Sequence, residues 1–99
     1  MQKKNNPLGD ENVIVKKMKI DNKLGLHARP AALLVQTISK YASDITVSKG
    51  SKKVNAKSIM GVMMLAAGPG STLTFEILGP DAEQASTDIE NLFKRNFDE

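Results

Sequence analysis

The sequence predicts an α+β domain with the element order β-α-β-β-α-β-α. Two observations lead to this prediction. Apolar and polar residues alternate over Leu73–Ile77, which is typical of a strand with one buried face. Four apolar residues instead recur with the period of a helix, Ala31, Leu34, Val35 and Ile38. We therefore expect a four-stranded antiparallel sheet with three helices on one face.

The early part of the chain supplies three of the four strands. β-Branched residues over Val13–Ile20 predict the first strand. After the first helix, Asp44–Ser48 and Lys52–Asn55 predict a hairpin that turns at Gly50.

The two later helices are predicted from their ends. Ser58 precedes a short apolar run, and Gly68-Pro69-Gly70 stops it. Asp81, with Gln84 three residues later, resembles a capping box at the start of the last helix. We expect that helix to bury four apolar side chains, Ala85, Ile89, Leu92 and Phe93.

Length and composition indicate one small domain, because the chain has 99 residues and 40% hydrophobic composition. Residues 1–12 are polar and lack periodicity, so we expect a flexible extension followed by a domain over residues 13–99. No apolar run reaches the roughly 20 residues of a membrane helix. The start of the chain also lacks the apolar stretch of a secretory signal. We therefore expect a cytoplasmic protein without membrane insertion.

Charge and residue usage argue against several classes of function. The net charge of +3 is spread thinly along the chain, so we expect no nucleic-acid partner. An RNA-recognition module would share the order β-α-β-β-α-β, but it needs aromatic residues on a strand where Lys52–Asn55 has none. With no cysteine and one histidine, we expect neither a metal site nor a cofactor.

Two classes of enzyme are also poorly supported. A hydrolase using Ser58 and His27 would need a Gly-x-Ser-x-Gly turn or an acidic partner for the histidine, and the sequence indicates neither. The Gly-x-x-x-x-Gly-Lys-Ser/Thr motif of nucleotide-binding kinases is missing as well.

The single histidine, His27, lies at the predicted start of the first helix, between Gly25 and Arg29. The first N–H groups of a helix lack intrahelical partners and attract anions. A neutral imidazole there is a nucleophile that can take a phosphoryl group, with Arg29 as a forked cation for its oxygens. The residues alone leave another interpretation open, in which His27 caps the helix and Arg29 is merely solvated.

Two motifs resemble one known family. Gly25–Pro30 reads Gly-Leu-His-Ala-Arg-Pro, and Lys57–Met63 reads Lys-Ser-Ile-Met-Gly-Val-Met. In this order and spacing they resemble the active-site and regulatory-serine segments of the HPr family, the histidine-containing phosphocarriers of the sugar phosphotransferase system. The resemblance implies an open-faced β-sandwich. It also implies that His27 accepts a phosphoryl group from enzyme I and passes it to enzyme IIA components, with Arg29 stabilising the phosphate. Such a protein is a carrier and not an enzyme.

The same resemblance implies regulation at Ser58. In many members an HPr kinase/phosphorylase modifies this serine and promotes binding to a catabolite-control regulator. The plain interpretation of Ser58 as a helix N-cap holds beside it. We expect Met60 and Met63 to form a docking surface for partners, with Ile59 and Val62 in the core.

Leu24 stands where relatives often have a small polar residue, so the loop before His27 departs from the family pattern. The alternative function is an HPr-like member of a nitrogen-related or purely regulatory phosphotransfer branch. We expect the protein to be a monomer.

Overall fold

The computed structural model describes residues 13–99, so the predicted extension over residues 1–12 lies outside the described part. Seven main elements follow the predicted order: β1 Val13–Lys19, α1 Ala28–Ile38, β2 Asp44–Lys49, β3 Lys52–Asn55, α2 Ile59–Met64, β4 Thr72–Leu78 and α3 Ala82–Lys94. A short 3-10 turn over Asn96–Asp98 follows α3 and was not predicted. The α+β fold with four strands and three helices is confirmed.

The four strands form one antiparallel sheet in the order β1-β4-β2-β3. β4 lies at the centre of the pairing, with Phe75 opposite Lys16 on one side and Val47 on the other. Leu73, Phe75 and Ile77 are fully buried, as their alternation predicted. The helices therefore cover one face of the sheet, and the other face stays open.

The helices bury most of the residues that their periods select, although Val35 of α1 is only partly buried. In α1, Ala31, Leu34 and Ile38 have no exposed surface. In α3, all four predicted core side chains are buried, and Phe93 makes an edge contact with Phe75 at 5.8 Å between ring centroids. α1 packs against α2 and α3, so the start of α1 is held in a defined place.

The prediction of a capping box at the start of α3 is wrong. Asp81 is the N-cap residue, but its side chain makes no capping hydrogen bond. Its carboxylate instead accepts hydrogen bonds from the backbone N–H groups of Ala42 and Ser43, at 2.8 and 2.9 Å, and from the Ser43 hydroxyl at 2.6 Å. The loop between α1 and β2 offers three donors, and these outcompete the local amides of α3.

Candidate functional site

His27 is the N-cap residue of α1. Its backbone is extended, its carbonyl accepts the N–H of Ala31 at 2.9 Å, and its side chain makes no capping hydrogen bond. About a third of the side chain is exposed. The interpretation of His27 as a side-chain cap is therefore wrong. The imidazole stands at the positive end of α1, within reach of solvent.

The loop before His27 is held against the segment that follows α2. The N–H of Leu26 donates to the carbonyl of Ala67 at 2.8 Å, and the N–H of Gly70 donates to the carbonyl of Ile20 at 2.8 Å. Gly25 has φ +71°, and a Cβ built on it would lie 2.5 Å from the Ala67 oxygen. This close approach needs glycine, and it fixes where the His27 backbone enters α1.

Arg29 and Leu24 are both exposed beside His27. Arg29 is the second residue of α1 and makes no ion pair within residues 13–99. No acidic residue lies in the first turn of this helix. Leu24 is 72% exposed, so it presents an apolar side chain to solvent. The start of α1 thus combines a free cation, an imidazole and helix amides, which suits an anion.

A carboxylate that the sequence did not indicate lies against the histidine. The Glu99 Oε2 atom is 3.1 Å from His27 Nε2, and the Glu99 Oε1 atom accepts a hydrogen bond from Asn22 Nδ2 at 3.1 Å. Asn22 is buried, and its Nδ2 also donates to the Gly25 carbonyl at 2.8 Å. Glu99 is separated from His27 by 72 positions. No local pattern could have predicted this pair.

Ser58 is the N-cap of α2. Its hydroxyl oxygen accepts the N–H of Gly61 at 3.1 Å, so the predicted capping role is confirmed. The residue is half-buried.

The side chains of α2 divide differently from the prediction. Val62 is fully buried, as predicted, but Ile59 is 40% exposed, so its placement in the core is wrong. Six helical residues have room for one face against the core, and Val62 with Leu65 fills it. The exposed apolar side chains form what we name the α2 surface, consisting of Ile59, Met60, Met63 and Met64.

Neither a metal site nor a membrane-spanning helix is found among residues 13–99. No group of three or more His, Cys, Asp or Glu side chains is placed to hold a metal ion there. None of the helices in the same range is long and apolar enough to cross a membrane.

Comparisons with known proteins agree on one family. The family model described as the PTS HPr component phosphorylation site matches residues 14–95. Phosphocarrier protein HPr of Treponema pallidum is 48% identical over 87 residues, which is 88% of this chain and 99% of that protein. The HPr-like protein Crh of Halalkalibacterium halodurans is 49% identical over 73 residues, or 74% of this chain and 87% of that protein.

Solved structures give the same answer. The crystal structure of HPr-C-His from Thermoanaerobacter tengcongensis superposes with a TM-score of 0.84 at 48% identity, over 87% of this chain and 97% of that chain. The sheet order, the helices on one face and the histidine at the start of α1 define the class as an open-faced β-sandwich of the HPr type. This chain belongs to the HPr family of phosphocarrier proteins.

Proposed function

We propose that this protein accepts a phosphoryl group on His27 from enzyme I and passes it to enzyme IIA components during sugar uptake. The observation that supports this most is the imidazole at the N-cap of α1, partly exposed and free of any capping hydrogen bond. The partners in this proposal are those of the HPr family. The protein is itself the substrate at each step, so it acts as a carrier rather than as an enzyme.

Transfer to His27 forms a bond between a ring nitrogen and phosphorus while the donor's bond to phosphorus breaks. Family members use the Nδ1 atom. The product carries anionic oxygens at the start of α1, where the helix dipole and unpaired N–H groups stabilise negative charge. Arg29, exposed on the first turn, adds charged donors to the same oxygens. The site therefore combines a nucleophile with a cradle for the group that it receives.

Labelling with phosphoenolpyruvate and enzyme I tests the carrier function. We expect the wild-type protein to gain one acid-labile phosphate and His27→Ala to gain none. Arg29→Glu should slow labelling, whereas Lys40→Glu, a charge reversal beyond the other end of α1, should not. A wild-type protein that stays unlabelled, while a known HPr labels in the same reaction, contradicts the proposal.

Ser58 is the proposed regulatory position. Its hydroxyl lies at the start of α2, where added phosphate charge is compatible with the helix dipole and need not unfold the helix. The new charge would act on the neighbouring surface that partners contact, including a catabolite-control regulator. With ATP and an HPr kinase/phosphorylase, we expect an acid-stable label that Ser58→Ala abolishes. A label that persists in this variant would place the modified residue elsewhere.

Met60 and Met63 are the proposed docking residues for enzyme I and IIA components. They are 69% and 40% exposed, and flexible methionine side chains adapt to partners of different shape. Met60→Lys should weaken binding to enzyme I. Val15→Lys is the matched control, because Val15 is 56% exposed on the open face of the sheet. Equal effects of both variants would contradict docking through α2.

Transfer to several partners requires an accessible His27, and we therefore infer a monomeric carrier. We also propose that the protein works in the cytoplasm. Sedimentation equilibrium should give a mass near 10.7 kDa. A stable dimer that buries His27 would be incompatible with this part of the proposal.

A further inference from the structure

Leu24 is the most exposed large apolar side chain among residues 13–99, and it lies in the loop that leads directly into His27. A side chain so exposed adds little to the core, and its replacement should change the stability of the fold very little. An exposed apolar side chain beside a reactive group is available to contact any protein that approaches that group. The location of Leu24 therefore indicates a role in binding rather than in folding.

The turn that carries Leu24 is held rigidly. The N–H of Gly25 donates to the carbonyl of Asn22 at 3.1 Å, and the Asn22 side-chain amide donates to the Gly25 carbonyl at 2.8 Å. Asn22 and Leu26 are both buried, so the chain is anchored in the protein on either side of Leu24. Because the backbone is already fixed, little conformational entropy is lost when a partner buries this side chain.

Two exposed cations flank the apolar side chain. Lys23 precedes it in the turn, and Arg29 lies on the first turn of α1, just beyond His27. Neither cation makes an ion pair within residues 13–99. An apolar centre with free cations around it is complementary to a surface that has an apolar recess and carboxylates at its rim.

The turn also adjoins the segment that follows the α2 surface. A Cβ built on Gly25 would lie 2.7 Å from the Cα atom of Gly68, so the two segments are in direct contact. Met64, an exposed member of the α2 surface, is the last residue of α2 and lies four positions before Gly68. Leu24 and the α2 surface thus belong to segments that meet beside His27.

We propose that Leu24 is a docking residue that enters an apolar recess on enzyme I, next to the residue that carries the phosphoryl group. This inference rests on the proposed carrier function and names the chemistry of the partner's surface, which is apolar at the centre with carboxylates facing Lys23 and Arg29. Leu24 takes no part in the transfer itself. Its burial contributes equally before and during transfer, so it lowers KM and leaves kcat unchanged.

Two variants at Leu24 and one elsewhere separate docking from other effects. Leu24→Ser removes the apolar side chain, whereas Leu24→Met keeps one of similar volume. Val15→Ser is the matched control, because Val15 is also an exposed apolar residue but lies on the open face of the sheet. Thermal unfolding followed by circular dichroism should show that all three variants stay folded.

The first measurement is the steady-state rate of phosphorylation by enzyme I as a function of the concentration of this protein. Leu24→Ser should raise KM by about 10-fold with kcat unchanged, as expected for loss of a buried leucine at an interface. Leu24→Met and Val15→Ser should remain close to wild type. Lys23→Gln should also raise KM, but by a factor that shrinks as salt screens the charge, whereas the effect of Leu24→Ser should persist at high salt.

The second measurement uses phosphoramidate, a small phosphoryl donor without an apolar surface. It should label wild type and all the variants at the same rate, because no docking is involved.

An unchanged KM in Leu24→Ser would overturn the inference, as would an equal increase in Val15→Ser or an increase that high salt abolishes. Slower labelling of Leu24→Ser by phosphoramidate would also overturn it, since Leu24 would then act on the reactive site itself. Failure of the carrier function gives a different result, because enzyme I would then not label wild type although phosphoramidate does.

Discussion

The backbone N–H of Leu26 donates to the carbonyl of Ala67 at 2.8 Å, which ties the residue before His27 to the segment just after α2. The two segments are far apart in the sequence. One leads into α1 and the other follows α2, and the motifs that contain His27 and Ser58 lie at the starts of these two helices. Because of this bond, the position of the His27 loop depends on the packing of α2. Changes in either segment should therefore affect the other.

Gly25→Ala should damage this junction. The new Cβ would lie 2.5 Å from the Ala67 oxygen, and alanine disfavours φ +71°. We expect the free energy of unfolding to fall by about 2 to 4 kcal/mol, as measured by urea denaturation, since the clash adds to the conformational cost. Gly50→Ala is the control, because Gly50 has φ +61° but nothing within 4 Å of the added carbon. Equal losses in both variants would show that the contact with Ala67 is unimportant.

Replacement of Ser58 tests its cap independently of regulation. Ser58→Ala leaves the N–H of Gly61 without its side-chain acceptor, so the free energy of unfolding should fall by about 1 kcal/mol. Ser58→Asp restores an acceptor and should retain most of the stability. Ser51→Ala, in the exposed turn between β2 and β3, serves as the control for loss of a serine hydroxyl. A Ser58→Ala protein as stable as that control would mean that the cap contributes nothing.

The fold was predictable from the sequence because apolar residues recur along its strands and helices at regular, short spacings. Alternation through Phe75 and the helical spacing of Leu34 each follow from burial of one face. Two local predictions were wrong where tertiary contacts decided the outcome. Asp81 binds the distant Ser43 rather than its own helix, and Ile59 is displaced from the core because Val62 already fills the inward face.

The candidate site was predictable in part for the same reason. His27 was placed at the start of α1 by local signals. Glu99 was not found, because a pair separated by 72 positions leaves no trace in local periodicity. The buried Asn22 was likewise missed, since its role depends on that pairing. Only the folded backbone brings these groups together.

Asp81 should make stability depend on pH in the acid range. The Ser43 hydroxyl and the Ala42 N–H donate to its carboxylate and lower the pKa of Asp81 below its ordinary value of 3.8. A lowered folded-state pKa contributes stability above the ordinary value, and that stability is lost as pH falls through the folded value. Asp81→Asn should therefore be less stable at neutral pH and show a shallower loss in acid. If the stability of Asp81→Asn fell in acid as steeply as that of wild type and of the exposed control Asp44→Asn, this prediction would be contradicted.

Tyr41 should make stability depend on pH in the alkaline range. Its hydroxyl donates to the Asp88 carboxylate, and this hydrogen bond, with burial and the Asp88 charge, raises the pKa of Tyr41 from 10.0 to about 12. A raised folded-state pKa contributes stability that is complete below about pH 10 and lost as pH rises toward about 12. Tyr41 is the single tyrosine in the chain, so phenolate absorbance reports it alone.

Asp88→Asn should return the pKa of Tyr41 toward its usual value of about 10 and remove the alkaline loss of stability. Glu83→Gln is the control, since Glu83 lines the same surface cavity as Tyr41 but makes no hydrogen bond to it within residues 13–99. We expect that variant to titrate like wild type. A wild-type phenol that already ionises near its usual value, or an Asp88→Asn protein with an unchanged titration, would show that the carboxylate does not hold the phenolic proton.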